Sequence, residues 1–567
     1  MRNQRIDGPV VQMNKGWADT ANRYAEDVIK GKIPTGEFAK SACRRHLNDL
    51  KKQAKKGFPY RFSPEKTAKV CEYISKLRHI KGKWAGSEIK LEPWQIFFLA
   101  NIFGWVRKSD DLRRFREAYL EVARKNAKST LAAGIGLYML TEDGEPGAEV
   151  YSGATSEKQA WEVFGPARLM AKRDVEFIEH YNITVAAQSL FSEASASKFQ
   201  PIVGNPGDGA SPHCSITDEY HEHQNANQYE TMTTGMGARE QPLALIITTA
   251  GADTSGPCYQ KRDEIIKILN GVIEDDSVFG IIYTPDEGDA WDDFNTWIKA
   301  NPNMGVSVYE DYLRKQLLTA RQNVEKQNKI RCKHLNQWMN ASTAWMDMQR
   351  WRRCADTTLS LEDFHGKQCI IALDLATAID VTAKAYLFLE DGKRYLFLKY
   401  YLPEETVQLA HNDSYRRWAS QGWITETYGN TIDFSQIKDD LRADTEHFDV
   451  THIAYDPWQA TQLASEMLGE GAPMLKYPNT VATMSEAMKR LQAEAYDQKL
   501  CYNGDPVLEW MMSNVTARID HKDNIFPRKE IDKNKIDGVV AAIMAMGVSI
   551  QHQTVYITGY EQGIEFI

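Results

Sequence analysis

The sequence predicts an α/β protein in two parts. Between residues 91 and 260, short apolar β-prone runs alternate with helical stretches, which argues for a largely parallel sheet. A second set of strands starts near Gln368 and is led by a hairpin signal. The length of 567 residues also asks for more than one core, at roughly 100–200 residues per domain.

Composition narrows the class. The hydrophobic fraction of 43% is enough for real cores, and the charged fraction of 26% is ordinary. Lys and Arg number 68 against 77 Asp and Glu, a net charge of −9, which excludes a uniformly basic nucleic-acid coat but allows local basic grooves and acidic metal sites. No apolar run reaches the ~18 residues of a membrane span, and the first residues lack a long apolar segment, so neither a membrane anchor nor a secretory leader is expected. The 8 cysteines form no C-x-x-C pair, so no zinc ribbon or disulfide framework is suggested.

In chain order, residues 1–90 read as a helical and partly basic region, with Arg44, Arg45, Lys51, Lys52, Lys55 and Lys56 clustered and an amphipathic helix over 64–77. Residues 91–260 hold the runs Ala118–Val122, Ala148–Tyr151, Cys214–Thr217 and Leu243–Thr248. Residues 261–360 read as a helical connector with an aromatic cluster of Trp338, Trp345 and Trp351. Residues 361–567 give strands at Cys369–Leu373, Ala385–Phe388, Tyr395–Tyr401 and His452–Tyr455, a turn at Glu390-Asp391-Gly392-Lys393, and a terminal helix near Asp537–Val548.

The first segment with chemistry is Val122-Ala123-Arg124-Lys125-Asn126-Ala127-Lys128-Ser129-Thr130, between an apolar strand and an apolar helix. It is an altered phosphate loop: against G-x-x-x-x-G-K-[ST], Val122 and Ala127 replace the glycines. Backbone N–H groups and the helix N-terminus still suit the phosphates of ATP; Lys128 suits their charge, and Ser129 suits Mg²⁺. Arg124, Lys125, Asn126, Ala127 and Thr130 complete the predicted nucleotide loop. Ala127 is the weak point, because Ala resists backbone angles that Gly permits.

Downstream, Ile216-Thr217-Asp218-Glu219 reads as a strand ending in two acids, with Asp218 for Mg²⁺ and Glu219 to polarise the attacking water. Gln95, in Pro93-Trp94-Gln95, is placed to read an adenine edge, and Thr248-Thr249 end a strand where a γ-phosphate is sensed. His221-Glu222-His223 lacks a zinc-site spacing and reads as polar loop.

In the second half, Asp374 and Asp456 end apolar strands and Asp537 opens the last apolar helix. Three convergent carboxylates suit two Mg²⁺ or Mn²⁺ ions that activate water for phosphodiester cleavage, the arrangement of ribonuclease H-like nucleases. Asp380 reads as the cap of a turn rather than a fourth acid, and Asp537 is preferred over Asp520 and Asp523 because it precedes an apolar helix.

In this order, Arg124–Ser129, Thr217-Asp218-Glu219, Thr248–Gly251, Lys333-His334-Leu335-Asn336-Gln337-Trp338 and the three aspartates resemble the large terminase subunit of tailed bacteriophages over roughly residues 60–550. The resemblance implies an N-terminal phosphate-loop ATPase with a parallel-rich sheet and a C-terminal ribonuclease H-like nuclease. It implies that Arg124 acts on the nucleotide in cis, while a second Arg, with Arg239 a candidate, comes from a neighbouring subunit. The implied partners are double-stranded viral DNA, a small terminase subunit, the portal of a procapsid and further copies in a ring, commonly a pentamer. The implied location is the cytoplasm of an infected bacterial host and not the mature virion. A helicase or repair ATPase with an attached nuclease is disfavoured, because no second recombinase-like ATPase domain follows residue 260. A DNA-binding scaffold that no longer hydrolyses ATP rests on Ala127 alone.

Overall fold

The computed structural model describes residues 16–562 except 205–208, 255, 342–344, 376–380, 410–412, 459–460, 521 and 531–533. Asp380 therefore lies outside the described residues. The chain forms two compact units, residues 1–321 with 330–338, and residues 322–329 with 339–567.

The first unit is built on an eight-stranded sheet among the described residues, in the order Val278–Ile282, Glu117–Glu121, Leu243–Thr248, Cys214–Asp218, Glu149–Ala154, Ser197–Val203, Leu190–Ser192 and Thr184–Val185. The first six run parallel, and the last two are joined on by antiparallel pairings. The central Leu243–Thr248 and Cys214–Asp218 strands are buried at every residue, which is why they read as continuous apolar runs without alternation.

Two boundaries differ from the sequence reading. Of the expected region 1–90, the described part does not stand apart: the Gly16–Ile29, Glu37–Lys52 and Pro64–Lys76 helices put Ala21, Val28, Cys43, Val70 and Ile74 into the same core as Leu120 and Ile281. Arg45, from the basic run, is spent fastening its helix to the carbonyls of Val278 and Asp275 at 2.8 and 2.7 Å. The 261–360 connector is likewise not one body. Its Val278–Ile282 run becomes the edge strand beside the phosphate-loop strand, and the chain passes between units near residues 322–339. Trp338 belongs to the first unit, while Trp345 and Trp351 are core residues of the second.

A pH dependence follows from His46. It is buried against Trp105, Asn101 and Asn22, and burial pushes its pKa down to about 4. The unfolded chain therefore takes up the proton first. Stability from this residue is full above the ordinary pKa of about 6.5 and is lost as pH falls toward 4, by up to about 3 kcal/mol. The unfolding midpoint of the first unit is expected to drop between pH 7 and 5, and less steeply in His46→Gln; identical slopes in a melting series would refute this.

In the second unit a mixed sheet runs Ile424–Thr427, Lys393–Pro403, Thr382–Glu390, Gln368–Asp374, Asp449–Tyr455 and Met474–Lys476, with Leu500–Tyr502 also paired to Lys393–Pro403. The expected hairpin is present: Glu390 pairs with Lys393 across a two-residue turn in which Asp391 (φ 50°) and Gly392 (φ 74°) are both left-handed. Antiparallel strands lead into parallel ones at Gln368–Asp374 and Asp449–Tyr455. The terminal helix spans Asp537–Gln562, and its Val539–Met546 segment is buried in the core of this unit. Among the described residues, no helix is long and apolar enough to cross a membrane.

Candidate functional site

The phosphate loop joins the Glu117–Glu121 strand to the Lys128–Thr141 helix, so Lys128, Ser129 and Thr130 form the first helical turn. Ala127 precedes it at φ 61° and ψ 20°, in the left-handed region, and Lys125 is left-handed too at φ 71°. Ala thus adopts the conformation that favours Gly, at a strain of about 1 kcal/mol. Neighbours hold it there. The buried Asn126 donates from Nδ2 to Ala123 O at 2.9 Å and to Asn301 Oδ1 at 3.0 Å, and its Oδ1 accepts from Asn303 N at 3.0 Å. Ser307 Oγ donates to Lys125 O at 2.6 Å. Ala127→Gly is expected to stabilise the protein by up to about 1 kcal/mol without lowering ATP turnover; a denaturant midpoint that falls would show that Ala127 is not strained.

Lys128 Nζ lies 3.2 Å from Glu219 Oε1. Glu219 follows the last residue of the Cys214–Asp218 strand and is itself left-handed at φ 46°. Burial works against its charge, but Lys128, then His221, outweigh it and hold the carboxyl below the usual range. Thr249 Oγ1 donates to its other oxygen at 3.3 Å, and His221 Nδ1 stands 3.2 Å away.

Asp218 goes the other way: burial first, then the Glu219 charge, raise its pKa. Its Oδ1 accepts from Glu219 N at 2.8 Å, while Oδ2 is buried with no hydrogen-bond partner among the described residues. A buried carboxylate oxygen left unsatisfied beside a phosphate loop fits a hydrated divalent cation, which would also supply the charge that ionises it. Arg124 is half-buried in the loop; its N–H donates to Lys333 O at 2.9 Å, and its Nε is a second buried atom with no hydrogen-bond partner among the described residues.

Gln95 is buried on the Pro93–Leu99 helix and accepts the Glu92 N–H at 2.9 Å through Oε1, so it caps its own helix. It also lines a cavity of about 300 Å³ that reaches Ala127, Thr130, Val306 and Ser307. Trp94 is buried beside it, and its Nε1 donates to Asn303 Oδ1 at 2.7 Å.

Sequence reasoning gave no role to Asn336, although it stands in the motif that carries the resemblance. Fully buried and left-handed at φ 53°, it joins the ends of three strands. Its Oδ1 accepts from Ala250 N at 2.7 Å, and its Nδ2 donates to Tyr283 O at 2.9 Å and to Glu121 Oε1 at 3.3 Å. Glu121, with no exposed surface, is further held by Tyr119, Trp338 and Arg262 at 2.6, 3.3 and 3.3 Å. Arg239 is only 12% exposed, and donates to Ser211 O and Gly147 O while pairing with Glu145; these bonds occupy the guanidinium offered as an intersubunit candidate.

In the second unit, Asp374 ends one strand and Asp456 follows the end of its parallel neighbour, with Leu373 opposite Tyr455. The two acids therefore leave adjacent strands at the same edge. Asp456 is anchored twice: Oδ1 accepts from Trp458 N at 3.1 Å and Oδ2 from Asn479 N at 3.3 Å.

Asp537 opens the terminal helix, and the register places the residue after it on the row of Asp374, two strands away. Asp374 pairs with Ala383, and Ala383 with Tyr400. Gly538 is pressed on that row so closely that a Cβ would fall 2.8 Å from the Tyr400 ring. Asp537 also lines a cleft of about 320 Å³ with Arg528 and Lys529. Asp520 is used elsewhere, accepting the Lys522 and Asn524 N–H groups in the turn between the Val515–Ile519 and Ile525–Lys529 strands, where Asp523 is left-handed. Among the described residues, no three acids, histidines or cysteines stand close enough to form a metal cage. The three aspartates are all-oxygen ligands, the chemistry Mg²⁺ prefers.

Comparison with known proteins gives an ATPase part and a nuclease part, divided inside the first unit rather than at its end. Residues 93–267 match the model of the terminase large subunit ATPase domain, and residues 272–553 match that of the terminase large subunit endonuclease domain. The chain is 39% identical over 361 residues to Protein YmfN of Escherichia coli K12, covering 61% of this chain and 79% of that one. It is 24% identical over 497 residues to the terminase large subunit of Enterobacteria phage HK97, covering 86% and 94%. The crystal structure of the HK97 large terminase aligns with a TM-score of 0.43 at 23% identity, covering 85% of this chain and 99% of that one. With a nucleotide loop in one unit, strand-edge aspartates in the other, and the two domain models spanning most of its length, the chain belongs to the terminase large subunit family and is an ATPase and a nuclease.

Proposed function

We propose that this chain is both motor and cutter of viral DNA packaging: it draws double-stranded DNA through the portal of a procapsid on ATP hydrolysis, and cuts the concatemer with divalent metal ions. The observation that carries the motor reading is the Lys128–Glu219 contact at 3.2 Å beside the buried, unsatisfied Asp218 oxygen. In it Lys128 neutralises the phosphates, Ser129 and Asp218 serve Mg²⁺, and Glu219 orients the attacking water. ATP binding draws Lys128 toward phosphate and frees Glu219 to accept a proton. Arg124 reaches the phosphates in cis, and the cavity beside Gln95 takes the base. In the cutter, Asp374, Asp456 and Asp537 would hold Mg²⁺, or Mn²⁺ in its place, which would supply an activated water.

A small terminase subunit delivers the DNA, and several copies, commonly five, act as a ring on the portal in the host cytoplasm. The test is a reconstituted packaging reaction with procapsids, small subunit and ATP. DNA protected from added nuclease only when this chain and ATP are both present supports the reading; protection without ATP rejects it. Ala127 is the one feature favouring a non-hydrolysing scaffold, and measurable DNA-stimulated ATP turnover rejects that alternative.

A further inference from the structure

The aromatic residue beside the nuclease acids is unexpectedly open. Trp458 is 91% exposed, although an indole ordinarily buries most of its surface. It stands two residues after Asp456, and its backbone N–H donates to Asp456 Oδ1 at 3.1 Å. The other oxygen of the same carboxylate accepts from Asn479 N at 3.3 Å. Asn479 in turn lines a cleft of about 510 Å³ whose other wall, from the Val515–Ile519 and Ile525–Lys529 hairpin, carries the exposed Arg518 and Arg528. One carboxylate thus ties together an exposed aromatic face and a cationic cleft. Guanidinium groups suit a phosphate backbone; a flat, exposed indole suits the π-face of a base, whatever its identity.

We infer that Trp458 is a DNA-positioning residue of the nuclease: it stacks on a base of the strand being cut while Arg518 and Arg528 hold the neighbouring phosphates. This rests on the nuclease reading of Asp374 and Asp456. Stacking on an unpaired or partly unstacked base fixes the phosphodiester next to it, and the Trp458 N–H bond to Asp456 couples that position to a proposed metal ligand. The side chain is neutral, so its loss weakens DNA binding without changing the number of phosphates neutralised, whereas loss of Arg528 removes one.

The experiment uses the full chain. In an Asp374→Asn background, binding of a short duplex with a terminal unpaired stretch is followed by anisotropy across a salt series, and stacking by the fluorescence of 2-aminopurine placed along that stretch. Trp458→Ala is expected to weaken binding about ten-fold, with the salt slope unchanged and the 2-aminopurine quenching lost. Arg528→Ala is expected to lower the salt slope by about one. Trp458→Phe, which keeps an aromatic face, is expected to retain most of the quenching. In chains with Asp374 intact, Trp458→Ala should raise the KM for cleavage about ten-fold and leave ATP turnover unchanged. Wild-type cleavage parameters in Trp458→Ala, together with no quenching by Trp458, overturn the inference. If Asp374→Asn still abolishes cleavage in that case, the nuclease reading stands; if Asp374→Asn cleaves normally, that reading has failed and the inference falls with it.

Discussion

Replacing Glu219 by Gln is expected to lower ATP turnover by about 10²–10⁴-fold while ATP still binds. The amide keeps the size of the carboxylate and a hydrogen bond to Thr249, but it cannot accept a proton from water. Lys128 then loses its resting partner at 3.2 Å, so nucleotide affinity should hold or rise. Lys128→Ala is expected to fail differently, losing affinity and turnover together, and to leave Glu219 buried without its main counter-charge. Both variants should retain metal-dependent cleavage of plasmid DNA, because the acids of the second unit are untouched. Equal loss of cleavage in Glu219→Gln would mean that nucleotide turnover and cutting are not separate sites.

Asp374→Asn is expected to reduce cleavage about a hundred-fold or more, with DNA-stimulated ATP turnover within about two-fold of wild type. An amide has the shape of the carboxylate but not its charge, and a divalent cation is held mainly by charge. Asp456→Asn is expected to act more severely, because its two oxygens also receive the Trp458 and Asn479 N–H groups and an amide nitrogen there would face a donor. Plasmid nicking at several Mg²⁺ and Mn²⁺ concentrations measures this. Recovery of Asp374→Asn at high metal concentration places the residue on the metal; unchanged nicking rejects its role.

What the sequence made legible was local chemistry. The loop through Lys128 and Ser129, the Asp218-Glu219 pair, and the strand-end positions of Asp374 and Asp456 all follow from short apolar runs meeting polar residues, and each lies where the pattern put it. The Asp391-Gly392 hairpin was legible for the same reason. What stayed hidden was pairing over distance. The Val278–Ile282 strand is short and carries Gly280, which looks like an interruption. In the folded chain that glycine is needed, because a Cβ there would fall 2.3 Å from Ile265 Cγ2. Its partner, Glu117–Glu121, lies far back in the sequence, and no periodicity announces the match. Asn336 and Asn303 were hidden likewise: a polar residue whose hydrogen-bond partners come from distant segments has no local signature. Ala127 was flagged correctly as a backbone problem, but only the folded chain shows the Asn126 and Ser307 bonds that hold the loop in place.

The position of Asn336 also sets when the nucleotide site comes into being. Glu121 leaves the ribosome early with Tyr119 beside it, yet the other partners of its buried carboxylate, Arg262, Asn336 and Trp338, come much later in the chain. At about 5–20 residues per second, the loop strand waits roughly ten to forty seconds for its last partners. During that interval the nascent chain has an unfinished sheet edge and an acid with nowhere to hide. A fragment ended at residue 267, where the ATPase match stops, would remain in that condition permanently. The smallest portion with a complete nucleotide site has to run through Trp338, and chaperone dependence during synthesis should be greatest before that residue emerges.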